Sequence, residues 1–281
     1  MSLDFKTIII CLVVIVILFC IVTLLARNFI FEPFATNIIL SKSVTSNYAF
    51  KNDQIELVSI ETQDKKGTIW ISYLINPQSN FVILYSHGSM NHMGYNEKLF
   101  EQFKPFCSIV MYDYRGYGKS TGVSSEETIQ DDIYTAYDFT KSQLGFAPEN
   151  IVLYGKSLGV YPSIYLANKL ESQNIVLKYI ILESGFASSH DLFEQILNKT
   201  IVKILLKNKF KSYDLISGVK RTPILISHSH EDELIKNNHQ QKLLENGSNN
   251  VTSYNIQNQH HVSISLNKDY MKIILNCIYN A

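Results

Sequence analysis

The chain has 281 residues, with 25 Lys and Arg balancing 25 Asp and Glu, 46% apolar residues, 18% charged residues, 12 Gly and 6 Pro. So apolar and weakly charged a composition excludes a disordered chain, and the low glycine count excludes a collagen-like fibre. Zero net charge argues against a dedicated nucleic-acid binder, which needs a basic surplus to neutralise phosphates. Four cysteines make no disulfide scaffold at this length. Cys11 and Cys20 fall within an apolar run, and Cys107 and Cys277 read as core residues without metal-ligand spacing.

Residues 1–6 form a short tail, and residues 7–27 read as a transmembrane anchor. Its centre, Ile8 to Ala26, is uncharged, with Thr23 its one polar member. As a helix it rises about 1.5 Å per residue and spans roughly 28 Å, close to a hydrocarbon core of about 30 Å. Lys6 and Arg27 bracket it within reach of headgroups. A cleaved signal peptide fits less well, because its apolar region is shorter and Leu24 stands where a small residue should precede the cleavage site. The expectation is a single-pass membrane protein with the bilayer as a partner. The positive flanks are nearly equal and assign no orientation. The sequons at Asn198, Asn246 and Asn250 are about as many as chance supplies in a chain this rich in Asn, Ser and Thr, and assign none either. Residues 28–48 are expected to be a juxtamembrane linker.

From residue 49 to the end, short β-rich runs alternate with helical patterns. Strands are expected at Ile55–Ile60, Thr68–Ile75, Val82–Ser86, Ser108–Tyr112, Ile151–Tyr154, Tyr179–Leu182, Ile224–Ser227 and Ser253–Ile256. From Val82 onward most are continuous apolar runs, as in parallel strands covered on both faces. The first two alternate and suggest an antiparallel edge hairpin. Ser124 with Glu127 reads as a capping box opening a helix whose stripe is Ile129, Ile133, Ala136, Tyr137 and Thr140. Tyr161 to Leu170 and Lys268 to Cys277 are helical in pattern. The alternation predicts one α/β domain over residues 49–281, built on a mostly parallel sheet flanked by helices.

The strongest chemical signal is Gly155-Lys156-Ser157-Leu158-Gly159 between a β-rich run and a helical one. It has the G-x-S-x-G spacing of a nucleophile elbow, in which a strained turn lifts the serine Oγ above the sheet edge and flanking glycines avoid collision. A nucleophilic serine needs a base, and the base an orienting acid. In chain order the acid comes next. The strand Ile224–Ser227 runs into an acidic turn at Asp232, with Glu231 and Glu233 as alternatives. The base follows, at His260 or His261, in the loop after the last strand. The loop after Val82–Ser86 carries His87-Gly88-Ser89. The backbone N–H of Ser89 and that of Leu158 are the candidate oxyanion donors. His87 is expected to shape this loop, not to exchange protons.

Taken together, His87-Gly88-Ser89, the segment Asp113 to Ser120, Gly155 to Gly159 and Leu182 to Ser188 occur in the order found in the serine α/β-hydrolases. The sequence resembles that superfamily over about residues 50–280, and within it the bem46-like, membrane-anchored branch. The Lys207 to Ser212 stretch is similar to that branch as well. The resemblance implies an α/β-hydrolase fold, a Ser157, Asp232, His261 triad, and a small cap over about residues 186–222. It selects His261 over His260, because that alignment also brings Ile264, Leu266 and Tyr270 into register. Two departures stand out. His260-His261-Val262-Ser263 replaces a Gly-His-Asn-Asp stretch, and Ser229 follows His228 where glycine is usual.

Other motifs fail on spacing. Gly118-Lys119-Ser120 and Gly155-Lys156-Ser157 mimic the end of a P-loop, but Asp113 and Asn150 occupy the required earlier glycine. His228-Ser229-His230-Glu231-Asp232 approaches a binuclear zinc signature, but Glu233 stands where a histidine is needed. Neither a metal nor an organic cofactor is therefore expected. The basic stretch Lys199 to Lys211 reads as a solvated cap helix, with a membrane-facing helix as the alternative. The sequence thus predicts a membrane-anchored serine hydrolase acting on carboxylic esters or thioesters of acyl lipids or lipidated proteins. A catalytically silent scaffold and a peptidase of the same fold are the competing readings.

Overall fold

The computed structural model describes residues 5–40, 48–90, 92–207, 209–257, 259–261 and 267–280. Ile264 and Leu266, used above to choose between the two histidines, lie outside them.

The chain opens with helix α1, Phe5–Ala26, followed by a π-helical turn, Arg27–Phe31, and helix α2, Glu32–Ile39. This helical stretch is long and apolar enough to cross a membrane by length and composition, and none of its most apolar window is buried. The linker expected over residues 28–48 is therefore helix as far as Ile39. The physical reason is packing. Pro33 fits the first turn of α2, and Ala35, Ile39 and Leu40 are buried in the domain core. Phe31 meets Phe193 at 6.2 Å between ring centroids. The apolar N-terminal helix thus runs directly into the globular domain.

Eight strands follow: β1 Glu56–Glu61, β2 Thr68–Leu74, β3 Val82–Ser86, β4 Ser108–Tyr112, β5 Ile151–Lys156, β6 Tyr179–Glu183, β7 Ile224–Ser229 and β8 Val251–Ile256. They form one sheet in the order β1-β2-β4-β3-β5-β6-β7-β8. β1 and β2 make the antiparallel edge, β2 pairs antiparallel with β4, and all other pairings are parallel. β3, β4, β6 and β7 are buried at every residue, as their unbroken apolar runs require. Side chains alternate between two layers. Val82 and Leu84 join one core, while Ile83 and Tyr85 join the other.

Helices α3 (Glu97–Phe103) and α10 (Lys268–Tyr279) pack on one face, through Phe100, Phe103, Tyr270 and Ile274. On the other lie α4 (Glu126–Ser142) and α5 (Val160–Ser172), through Ile133, Ala136, Ile164 and Ala167. The capping box of α4 sits one residue later than expected. Ser125 Oγ accepts from the Thr128 N–H at 3.1 Å and Thr128 Oγ1 accepts from the Ser125 N–H at 2.7 Å. Of two adjacent serines the second is the cap, and Thr128 takes the reciprocal role a glutamate often fills. Arg115, buried in the β4–α4 connection, donates through Nε to Asp132 at 2.6 Å and through Nη2 to Asp131 at 3.1 Å, fixing that connection to α4.

Between β6 and β7 the chain forms three short helices, α6 (Ser189–Phe193), α7 (Lys199–Leu205) and α8 (Ser212–Ile216). Helix α9, Asn238–Asn246, connects β7 to β8.

Candidate active site

The site lies at the carboxyl ends of β5, β7 and β8. β5 ends at Lys156, and Ser157 turns into the left-handed region at φ 53° before the helix begins. This is the strained turn that G-x-S-x-G spacing predicts. The two glycines are required by contact. A Cβ on Gly155 would stand 2.3 Å from the Gly159 carbonyl oxygen, and one on Gly159 would stand 2.0 Å from the Ser86 carbonyl oxygen of β3. Only bare backbones let β3, β5 and α5 approach this closely.

Asp232 sits in the turn after β7 and His261 in the loop after β8, both buried. His261 Nδ1 donates to Asp232 Oδ2 at 2.6 Å, and Ser157 Oγ lies 3.1 Å from His261 Nε2. With Nδ1–H committed to the carboxylate, Nε2 is the acceptor and the Ser157 hydroxyl is the donor. The other carboxylate oxygen, Oδ1, accepts the N–H groups of Leu234 at 3.0 Å and Ile235 at 2.8 Å. Burial works against ionisation of Asp232. The hydrogen bond and charge of His261, the Ile235 amide and nearby His228 outweigh it and hold the carboxyl below its usual range.

The alternatives lie elsewhere. Glu231 Oε2 accepts from Ser229 Oγ at 3.0 Å. Glu233 is exposed and sits 3.4 Å from His260 Nδ1, whose side chain is 81% exposed. Of the two neighbouring histidines, it is His261 that meets Ser157. His228, part of the apparent zinc signature, is buried and donates from Nε2 to the Ile235 carbonyl at 2.6 Å, which closes the turn that carries Asp232.

The loop after β3 approaches the nucleophile closely. A Cβ on Gly88 would lie 3.3 Å from Ser157 Cβ, and Ser89 follows beside it on the cavity wall with Leu158. The loop is held by residues distant in sequence. Tyr114 donates to the His87 carbonyl at 2.8 Å, and His87 Nε2 lies 3.4 Å from Asp113 Oδ1. Asp113 also accepts the Met93 N–H at 2.6 Å and the Tyr48 hydroxyl at 2.6 Å. The Asp113 to Ser120 motif thus braces the loop from behind, a role its linear spacing from His87 does not reveal. An ion pair at 3.1 Å joins Lys156, partly exposed, to the buried Glu183, the last residues of β5 and β6, which no spacing in the sequence signals.

Ser157 and His261 open into a cavity of about 740 Å³. Its walls are largely apolar. Phe186, Leu192 and Phe193 come from the segment between β6 and β7, Leu234 and Ile235 from the turn after β7, and Ile38 and Ile39 from α2. Lys98 and Lys156 are the lysines among the lining residues.

One wall is pinned by a buried histidine. His239 Nδ1 accepts the Ala187 N–H at 3.2 Å, and its Nε2 faces the side-chain amide of Gln195, a lining residue. Burial lowers the pKa of His239 from 6.5 to about 4. Protonation of Nδ1 would also set two N–H donors against each other. Because the folded value lies below the unfolded one, the unfolded chain takes up this proton first as pH falls. The stabilisation is complete above about pH 6.5 and is lost between there and pH 4. Between pH 6.5 and 5 the loss is on the order of 2 kcal/mol. Thermal melts in detergent should show it, and His239→Asn, which keeps an acceptor toward Ala187, should flatten the slope. An unchanged slope in that variant would assign the acid sensitivity elsewhere.

An eight-stranded, mostly parallel sheet with a serine at the turn after β5 defines the α/β-hydrolase fold. Solved structures agree. The chain superposes on an α/β hydrolase from Vibrio vulnificus with a TM-score of 0.70 at 21% identity, covering 90% of this chain and 89% of that one. A Pyrococcus furiosus esterase matches with a TM-score of 0.67 at 16% identity, covering 85% and 97%. The sequence profile of the family described as serine aminopeptidase, S33, matches residues 77–220, and the chain belongs to that family. Among curated proteins it is 30% identical over 207 residues to alpha/beta hydrolase domain-containing protein 17C of Xenopus tropicalis, covering 73% of this chain and 64% of that protein. It is 29% identical over 187 residues to the human protein 17B, covering 66% and 62%. The chain thus spans under two thirds of the length of these relatives.

Proposed function

We propose that the protein is a membrane-anchored serine hydrolase of the bem46-like branch that cleaves carboxylic esters or thioesters of acyl lipids or lipidated proteins. The observation that carries this reading is the run of contacts from Ser157 Oγ to His261 Nε2 at 3.1 Å and from His261 Nδ1 to Asp232 Oδ2 at 2.6 Å, opening on an apolar cavity.

In the proposed reaction Ser157 Oγ attacks the acyl carbonyl carbon while His261 Nε2 takes its proton. The new oxyanion accepts hydrogen bonds from the backbone N–H groups of Ser89 and Leu158, each donor supplying about 2.7–4 kcal/mol of transition-state stabilisation. Asp232 holds the imidazole in its tautomer and stabilises the imidazolium. The tetrahedral species collapses, the ester or thioester bond breaks, and His261 protonates the departing alcohol or thiol. Water, deprotonated by His261, then attacks the acyl-enzyme, and Ser157 leaves with the returned proton. In this scheme the exposed apolar helix α1 lies in a bilayer and holds the site close to acylated substrates.

The family name raises an aminopeptidase as the second reading. The cavity wall favours acyl substrates. A peptide substrate of an aminopeptidase presents a free ammonium, whereas the lining carries Lys98 and Lys156 amid apolar side chains. The deciding comparison sets p-nitrophenyl acyl esters of several chain lengths against amino-acid p-nitroanilides. The expected result is a higher kcat/KM on the esters, rising with chain length. Preferential cleavage of the anilides would overturn the ester reading in favour of a peptidase.

A further inference from the structure

Beyond Ala26 the helical stretch has two unlike faces. One carries Ala35 and Ile39, buried in the core. The other carries Ile30, Phe34 and Ile38, spaced four residues apart and therefore aligned along the axis. They are 70%, 54% and 44% exposed. An apolar ridge left open to water marks an interaction surface. Its two ends say what it meets. At the lower end it continues from the exposed apolar helix α1. At the upper end Ile38 is itself part of the cavity wall, which also includes Ile196, 69% exposed. From Ile30 to Ile38 the ridge covers about 12 Å of helix.

We propose that this ridge conducts the acyl chain of a bilayer-resident substrate from the leaflet into the cavity. The inference rests on the membrane-anchored hydrolase reading and adds the route to it. An acyl chain drawn out of the hydrocarbon layer meets Ile30, then Phe34, then Ile38, and reaches Ser157 with its apolar surface covered along the way. A water-soluble short-chain ester has no need of this path. Ile30 and Phe34 do not line the cavity, so changing them leaves the reacting groups and their supports in place.

The test uses the full chain in phosphatidylcholine proteoliposomes with two substrates, aqueous p-nitrophenyl butyrate and bilayer-dissolved 4-methylumbelliferyl palmitate. Phe34→Ser is expected to lower kcat/KM on the palmitoyl ester about tenfold, because apolar contact along the path is lost. Butyrate hydrolysis should be unchanged, and Phe34→Leu should restore palmitate hydrolysis. Equal losses on both esters, or no loss on either, would overturn the route. Wild-type protein that cleaves butyrate but not palmitate would also overturn it while leaving the hydrolase reading intact. Wild-type protein inert toward both esters would remove the hydrolase reading and the route with it.

Discussion

Ser157→Ala is expected to lower kcat for ester hydrolysis by roughly 10⁶-fold, with KM little altered. In the proposed reaction the hydroxyl oxygen is the atom that becomes acylated, and it is the group that meets His261 Nε2, at 3.1 Å. What remains is attack by water assisted by the imidazole and the backbone donors, a residual route still faster than the uncatalysed reaction. Folding should be nearly untouched. Residue 157 holds φ 53° in either variant, and alanine carries the same Cβ as serine, so the backbone strain is common to both. The informative outcome is therefore a melting temperature equal to that of the wild type with activity lost. Substantial residual activity in a folded Ser157→Ala protein would exclude the serine as nucleophile.

Asp232→Asn is expected to lower kcat by about 10⁴-fold. An asparagine amide would donate toward His261 Nδ1, which now donates to the carboxylate at 2.6 Å. The ring would shift its proton to Nε2, the atom that faces Ser157, and could no longer accept from the hydroxyl. The imidazolium would also lose its counter-charge. If Asn Oδ1 still faces Leu234 and Ile235, the turn survives, so the effect should fall on kcat with KM and melting temperature nearly preserved. Glu233→Gln, at an exposed position, should leave kcat close to the wild-type value. The reverse ranking of the two variants would name Glu233 as the acid.

Much of this arrangement was legible in the linear pattern. All eight strands fall where apolar runs or alternation place them, because strands buried on both faces must be apolar throughout and edge strands must not. The elbow was legible because a strained turn followed by a helix demands glycine at two fixed positions, and Gly155 and Gly159 each meet backbone where a Cβ would stand. Asp232 and His261 were foreseen from chain order, but the choice of His261 over His260 came only from family resemblance. Adjacent residues in an irregular loop have no periodicity to say which one turns inward.

The remainder depends on contacts between distant residues. Helix α2 reads as a linker in the sequence, and its outer residues Phe34 and Ile38, like Phe29 and Ile30 before it, are exposed. Its buried side is defined by a core that the local sequence does not contain. The hold of Asp113 on the His87 loop and of His239 on Ala187 spans 26 and 52 residues. No local spacing encodes either. The same is true of the cavity, whose walls gather α2, the β6–β7 connection and the turn after β7.

The most direct measurement is covalent labelling of the 281-residue chain in detergent or bilayer by a fluorophosphonate, followed by peptide mapping. An activated serine displaces fluoride from phosphorus and keeps the adduct, whereas an ordinary hydroxyl does not react. The expected result is a single adduct on Ser157, absent from Ser157→Ala and strongly slowed in Asp232→Asn. A folded wild-type protein that stays unlabelled, or an adduct that persists in Ser157→Ala, would contradict the relay of Ser157, His261 and Asp232.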